Sequence, residues 1–116
     1  MNVINKMVNN DKVPELNKKE FDEFISKGFV LIDFYADWCM PCLMMSPVID
    51  ELSQKFKGKI KFGKINVEDN HAISQKFGVS SIPNFVVFKD GEKISQFVGG
   101  MPAEELEEKL KNLYKK

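Results

Sequence analysis

The sequence predicts one α/β domain, a mixed β-sheet with helices on both faces in three α/β/α layers. Three observations predict it. Apolar runs of strand length alternate with segments of helical period, the pattern of parallel crossovers. One run, Phe29 to Ala36, is apolar almost throughout, as in a central strand buried on both sides. The last two runs are joined by Asp90-Gly91, a hairpin turn signal, so the final strand returns antiparallel. A chain of 116 residues is long enough for a single domain with its own core.

Taken in order, residues 1–12 are an N-terminal extension, and 13–116 form the domain. In the extension, Val3, Ile4, Met7 and Val8 could line a short helix, with a mobile tail as the alternative. Val13 to Leu16 is a short strand, placed at an edge because Pro14 cannot donate to a ladder. Asn17 is the N-cap of the next helix, Glu20 completes a capping box, and Leu16 staples onto Phe21. That helix buries Phe21, Phe24 and Ile25, and Gly28 follows its end. After the Phe29–Ala36 strand a helix runs to about Phe56, its apolar positions read as Leu43, Met44, Val48, Ile49, Leu52 and Phe56. Pro47 lies inside it and removes a backbone hydrogen bond. Ile60 to Val67 is a strand in which Ile60, Phe62 and Lys64 share a side. A short helix over residues 70–77 stops at Gly78. Asn84 to Phe88 and Glu92 to Val98 are the hairpin strands. The last helix starts near Pro102 and buries Leu106, Leu110, Leu113 and Tyr114. Its glutamates come early and its lysines late, which suits the helix dipole.

Composition narrows the function classes. Lysines and acids balance to a net charge of zero, and every basic residue other than His71 is a lysine. Without arginine there are no bidentate forks for phosphate, so a nucleic-acid role is disfavoured. No apolar run reaches membrane-spanning length, and residues 1–12 lack a signal-peptide core. The expectation is a soluble, cytoplasmic, monomeric protein. In that compartment two close cysteines are catalytic or metal-binding sooner than a structural staple.

The chemistry concentrates in Trp38-Cys39-Met40-Pro41-Cys42, where the buried strand hands over to a helix N-terminus. A Cys-x-x-Cys pair by itself fits zinc, an iron–sulfur cluster or a redox dithiol. A structural zinc needs four ligands, and the single histidine, His71, reads as a solvated residue at a helix start. A metal shared between two chains is a third option. The dithiol reading suits the position, because free N–H groups and the helix dipole favour a thiolate. Lowering a thiol from about 8.5 to about 7 takes roughly 2 kcal/mol, of which a helix terminus supplies about 0.3–2 kcal/mol. Cys39, on the exposed side, would attack, and Cys42, one turn in and more buried, would attack second. Asp33 is the one charge inside Phe29–Ala36. Burial there raises its pKa, and it could take the proton of the second cysteine. Lys64 on the neighbouring strand is its natural partner charge. Met44 and Met45 read as helix packing, and Asp37 as helix-start electrostatics.

The run Val30-Leu31-Ile32-Asp33-Phe34-Tyr35-Ala36-Asp37-Trp38-Cys39-Met40-Pro41-Cys42 resembles the thioredoxin family. Pro47, Lys64-Ile65-Asn66-Val67, Ile82-Pro83, Phe88-Lys89-Asp90-Gly91 and Val98-Gly99 continue the resemblance in the right order over residues 15–115. It implies the thioredoxin fold, a five-stranded mixed sheet flanked by four helices, and a protein-disulfide reductase. It makes Cys39 the nucleophile and Cys42 the resolving thiol of a redox disulfide, with Asp33 as buried acid/base and Lys64 beside it. It implies a cis Ile82-Pro83 peptide against the dithiol, exposing the Ile82 backbone to a substrate strand. Trp38, Met40, Pro41, Val67, Ile82, Pro83 and Gly99 would line the docking face. No cofactor or metal is implied; thioredoxin reductase would reset the disulfide, and disulfide-containing client proteins would be the substrates. Two positions depart from the family pattern. Met40 stands where glycine is usual, so the reduction potential is not carried over; Asn84 stands where threonine is common. A thiol oxidant or isomerase is the alternative within the class, and a binding subunit using the apolar face is the alternative outside it.

Overall fold

The computed structural model describes residues 13–115, so the expected helix in 1–12 lies outside the described residues. The element order is α1 (Lys18–Ile25), β1 (Phe29–Tyr35), α2 (Met40–Lys55), β2 (Ile60–Asn66), α3 (His71–Lys76), β3 (Asn84–Lys89), β4 (Glu92–Val98) and α4 (Ala103–Lys115). The sheet order is β2-β1-β3-β4, with β1 and β2 parallel and the other neighbours antiparallel. The mixed sheet and its flanking helices are those predicted, but with four strands among the described residues rather than five. Among the described residues the segment around Pro14 makes a single parallel bridge, Glu15 to Lys64. Its pairing stops at two bonds, Lys64 N–H to the Pro14 carbonyl at 3.0 Å and Leu16 N–H to the Lys64 carbonyl at 2.8 Å. Proline has no N–H with which to extend it.

Local chemistry explains the elements. Asn17 Oδ1 accepts from Glu20 N–H, and Glu20 Oε1 accepts from Asn17 N–H, each at 2.9 Å, so the capping box closes at the start of α1. Asp90 and Gly91 both take positive φ, 50° and 89°, as the tight turn between β3 and β4 demands. Asp90 also accepts from Gly28 N–H at 2.7 Å, tying that turn to the start of β1.

Strand alternation sorts the core into two layers. Leu31, Phe62, Phe85 and Val87 pack with Met45, Ile49 and Leu52 of α2 and with Leu106 and Leu110 of α4. Val30, Ile32, Phe34, Ile65, Val86 and Phe88 pack with Phe21 and Ile25 of α1, and with Ile73 and Phe77 around α3. Two packing expectations fail. Tyr114 is exposed, although its ring centroid lies 5.1 Å from that of Phe29. Leu43 and Met44 are exposed as well; the core stripe of α2 is Cys42, Met45, Ile49 and Leu52. Both stripes satisfy a helical period, and only the seating of the helix on the sheet separates them.

Candidate active site

The site lies where β1 ends and α2 begins. Cys39 is the N-cap of α2, in an extended conformation, and its Sγ accepts from Cys42 N–H at 3.2 Å. Met40 and Pro41 fill the first helical positions, where proline is pre-organised and its missing N–H is not needed. Cys39 and Cys42 are joined in a disulfide with Cα atoms 5.2 Å apart. The expectation that Cys42 is the more buried of the two is not met: Cys39 is 4% exposed and Cys42 5%. Both pack on Ala36, with Tyr35, Val67 and Ile82 closing over them, so Cys39 is covered from the side of the β2 and β3 loops.

Asp33 is buried in the middle of β1. It is on the side of Leu31, facing α2, and its cross-strand neighbours are Lys64 on β2 and Phe85 on β3. Among the described residues its Oδ1 has no hydrogen-bond partner. Burial pushes its pKa up to about 7; the Lys64 charge pulls it down and Asp50 on α2 pushes it up. The net effect is a carboxyl that changes protonation near neutral pH. Lys64 is half-buried, and its Nζ stands 5.6 Å from the centre of the Tyr35 ring. The Tyr35 phenol is held well above its ordinary range, first by burial and then by Glu15 beside it.

The rim is apolar. Trp38 and Met40 stand out into solvent, Pro41 is exposed, and Val67, Ile82 and Gly99 are partly covered. Pro83 is buried, and the Ile82-Pro83 peptide is cis. The Pro83 carbonyl accepts from Gly99 N–H at 2.8 Å, which holds two of the rim segments together. Among the described residues no hydrogen bond reaches the Ile82 backbone.

Sequence reasoning missed several supporting residues. Glu68 accepts from Trp38 Nε1–H at 2.6 Å and so orients an otherwise exposed indole. Its own N–H donates to Asn66 Oδ1 at 2.9 Å. Asn84, directly after Pro83, is fully buried; its Nδ2 donates to the Ser81 carbonyl at 3.1 Å and its Oδ1 accepts from Gln96 Nε2 at 2.9 Å. Met101 N–H donates to Met45 Sδ at 3.4 Å, which anchors the loop after Gly99 on α2. Asn84 carried a signal, a polar residue opening an apolar strand, whereas Glu68 and Gln96 carried none. Exposed His71 opens α3, and no group of three or more potential metal ligands occurs among the described residues. No described helix is long and apolar enough to cross a membrane.

A dithiol closed at a helix mouth, with a titratable acid on the neighbouring strand, defines a thiol–disulfide oxidoreductase. The thioredoxin family model matches residues 12–112. A thioredoxin of Staphylococcus haemolyticus is 43% identical over 98 residues, 84% of this chain and 94% of that one. Thioredoxin 1 of a Nostoc species is 43% identical over 81 residues, covering 70% of this chain and 76% of its own. A Synechocystis thioredoxin is 40% identical over 91 residues, 77% and 85% of the two chains. The chain belongs to the thioredoxin family and works by dithiol–disulfide exchange.

Proposed function

We propose that Cys39 is the attacking sulfur and Cys42 the resolving one in the reduction of disulfides of client proteins. In the reduced protein the Cys39 thiolate attacks one sulfur of a client disulfide. The other client sulfur leaves as a thiolate, and a mixed disulfide joins Cys39 to the client. Cys42 gives its proton to the Asp33 carboxylate and attacks Cys39 Sγ. The second client sulfur leaves with the electron pair, so the client gains two electrons and the protein ends as its Cys39–Cys42 disulfide. Cys39 is assigned the first attack because its sulfur caps α2, where the Cys42 N–H and the helix dipole stabilise negative charge. Asp33 is assigned the proton because a carboxyl titrating near 7 can both take and return one at neutral pH. Lys64, its cross-strand neighbour, tunes that affinity.

The client lies across Trp38, Met40, Pro41, Val67, Ile82, Pro83 and Gly99, and pairs with the Ile82 backbone. The apolar rim and the unengaged Ile82 backbone support this placement. The protein carries no cofactor, acts as a monomer in the cytoplasm, and is returned to the dithiol by thioredoxin reductase.

The observation that carries this reading is the disulfide at the start of α2 with Asp33 buried on β1. A Cys42→Ser variant, mixed with a disulfide-bonded protein, is expected to accumulate a covalent adduct that dithiothreitol releases. Multiple turnover by that variant without an adduct would refute the assignment of the two sulfurs.

A further inference from the structure

We propose that Leu43 and Met44, on the first two turns of α2, extend the docking face beyond Met40 to take an apolar, extended stretch of client chain. The protein then prefers disulfides flanked by apolar residues, as in clients that are not fully folded. This rests on the reductase reading above and adds a substrate class to it.

The exposure of this face is unusual. Met40 is 64% exposed, Leu43 51% and Met44 71%, next to Trp38 at 67%. Positions 40, 43 and 44 are one helical turn apart or less, so the three side chains share a side of α2. From Trp38 to Ile49 there is no charged side chain. The outer side of a surface helix is normally charged. The later part of α2 obeys that rule with Glu51, Gln54 and Lys55, as does α1, and α4 departs from it only at Tyr114 near its end. Only the turns that adjoin the disulfide break it with several residues together. A contiguous exposed apolar patch marks a surface that something covers.

Continuity with the exchange site identifies the occupant. A client sulfur must reach Cys39, the residue that caps this helix. Chain that flanks the client cysteine on the helix side then runs over Met40, Leu43 and Met44. An uncharged surface offers no electrostatic readout, and unbranched thioethers adapt to differently shaped apolar side chains. The combination fits many apolar sequences rather than one. A second copy of this chain is the rival occupant.

The test uses two peptides closed by the same internal disulfide, one flanked by Leu and Phe and the other by Ser and Gln. The measured quantity is the ratio of their kcat/KM values, for the full chain and for the Leu43→Gln, Met44→Gln double variant. Glutamine keeps the charge and nearly the helix propensity of the residues it replaces. A ratio of about tenfold in favour of the apolar peptide is expected, falling to within about twofold in the variant. A general loss of stability or thiol reactivity lowers both rates and leaves the ratio unchanged. A ratio near one for the unaltered chain, or one the double variant does not reduce, overturns the proposal and leaves the reductase reading intact. Failure to reduce either peptide overturns both. A dimer by light scattering that the double variant converts to monomer assigns the face to a second copy, and also overturns it.

Discussion

The two sides of the sheet differ in what they tolerate. Beneath α1 and α3, Val30, Ile32, Phe34, Ile65, Val86 and Phe88 make an apolar layer; the buried polar residues on that side are satisfied, Asn84 at both ends of its amide and Ser74 by the Asn70 carbonyl. Beneath α2 and α4, the same alternation places Asp33 and Lys64 next to Leu31, Phe62, Phe85 and Val87. There Asp33 Oδ1 has no hydrogen bond among the described residues. The seven residues of β1 serve both sides. Packing on the closed side secures the strand, so the other side can hold a destabilising acid, the one proposed above to take the Cys42 proton.

The largest expected effect comes from removing the difference at Asp33. Its pKa is raised on folding from 3.8 to about 7, so the protonated form is the one favoured in the folded protein. The folded state therefore binds more protons than the unfolded chain between those values. The group's contribution is complete below pH 3.8 and is lost progressively as pH rises through about 7, by about 4 kcal/mol in all. Asp33→Asn is expected to remove that loss. Chemical denaturation of both proteins at pH 4 and pH 8 checks it, and parallel pH profiles would show that Asp33 is not the source.

A middle-sized effect is expected on the closed side, from Asn84→Ala. It removes the partner of the Ser81 carbonyl and one of the acceptors of Gln96 Nε2, which keeps the Phe77 carbonyl, at a cost of about 2 kcal/mol. Unlike the Asp33 change, this cost should not vary between pH 4 and pH 8. A smaller one is expected from Gly63→Ala on β2. An added Cβ would stand 2.9 Å from Leu16 Cδ1 and 2.9 Å from Phe24 Cε2, side-chain atoms packed in the α1 layer. Their displacement is expected to cost about 1 kcal/mol, read as a lower denaturation midpoint with the adduct-forming rate of Cys39 unchanged.

The burial of Asp33 was legible because a lone charge inside an apolar strand shares the strand's covered position. The dithiol was legible because strand, cysteines and helix are contiguous, and local pattern suffices for contiguous features. Leu43 and Met44 were misplaced, since a run of Leu, Met and Met offers two apolar stripes of equal period. The absence of a fifth strand among the described residues has a similar origin: Val13 to Leu16 has a strand's composition, but there only two of its backbone groups find partners on β2. Burial of Cys39 was misjudged because the residues that cover it, Val67 and Ile82, come from loops far along the chain.

The sequence alone determined the order and kind of the elements, the capped start of α1, the hairpin turn, and a sulfur pair at the head of a helix. These depend on residues within a turn or a strand of one another. The tertiary structure alone decided what stands opposite each side chain. It set Lys64 and Asp50 to act in opposite senses on Asp33, Glu68 on the Trp38 indole, and Gln96 on Asn84. Periodicity tells which side of its own element a residue occupies; the residue it meets there depends on how separate elements are packed, and no local pattern encodes that.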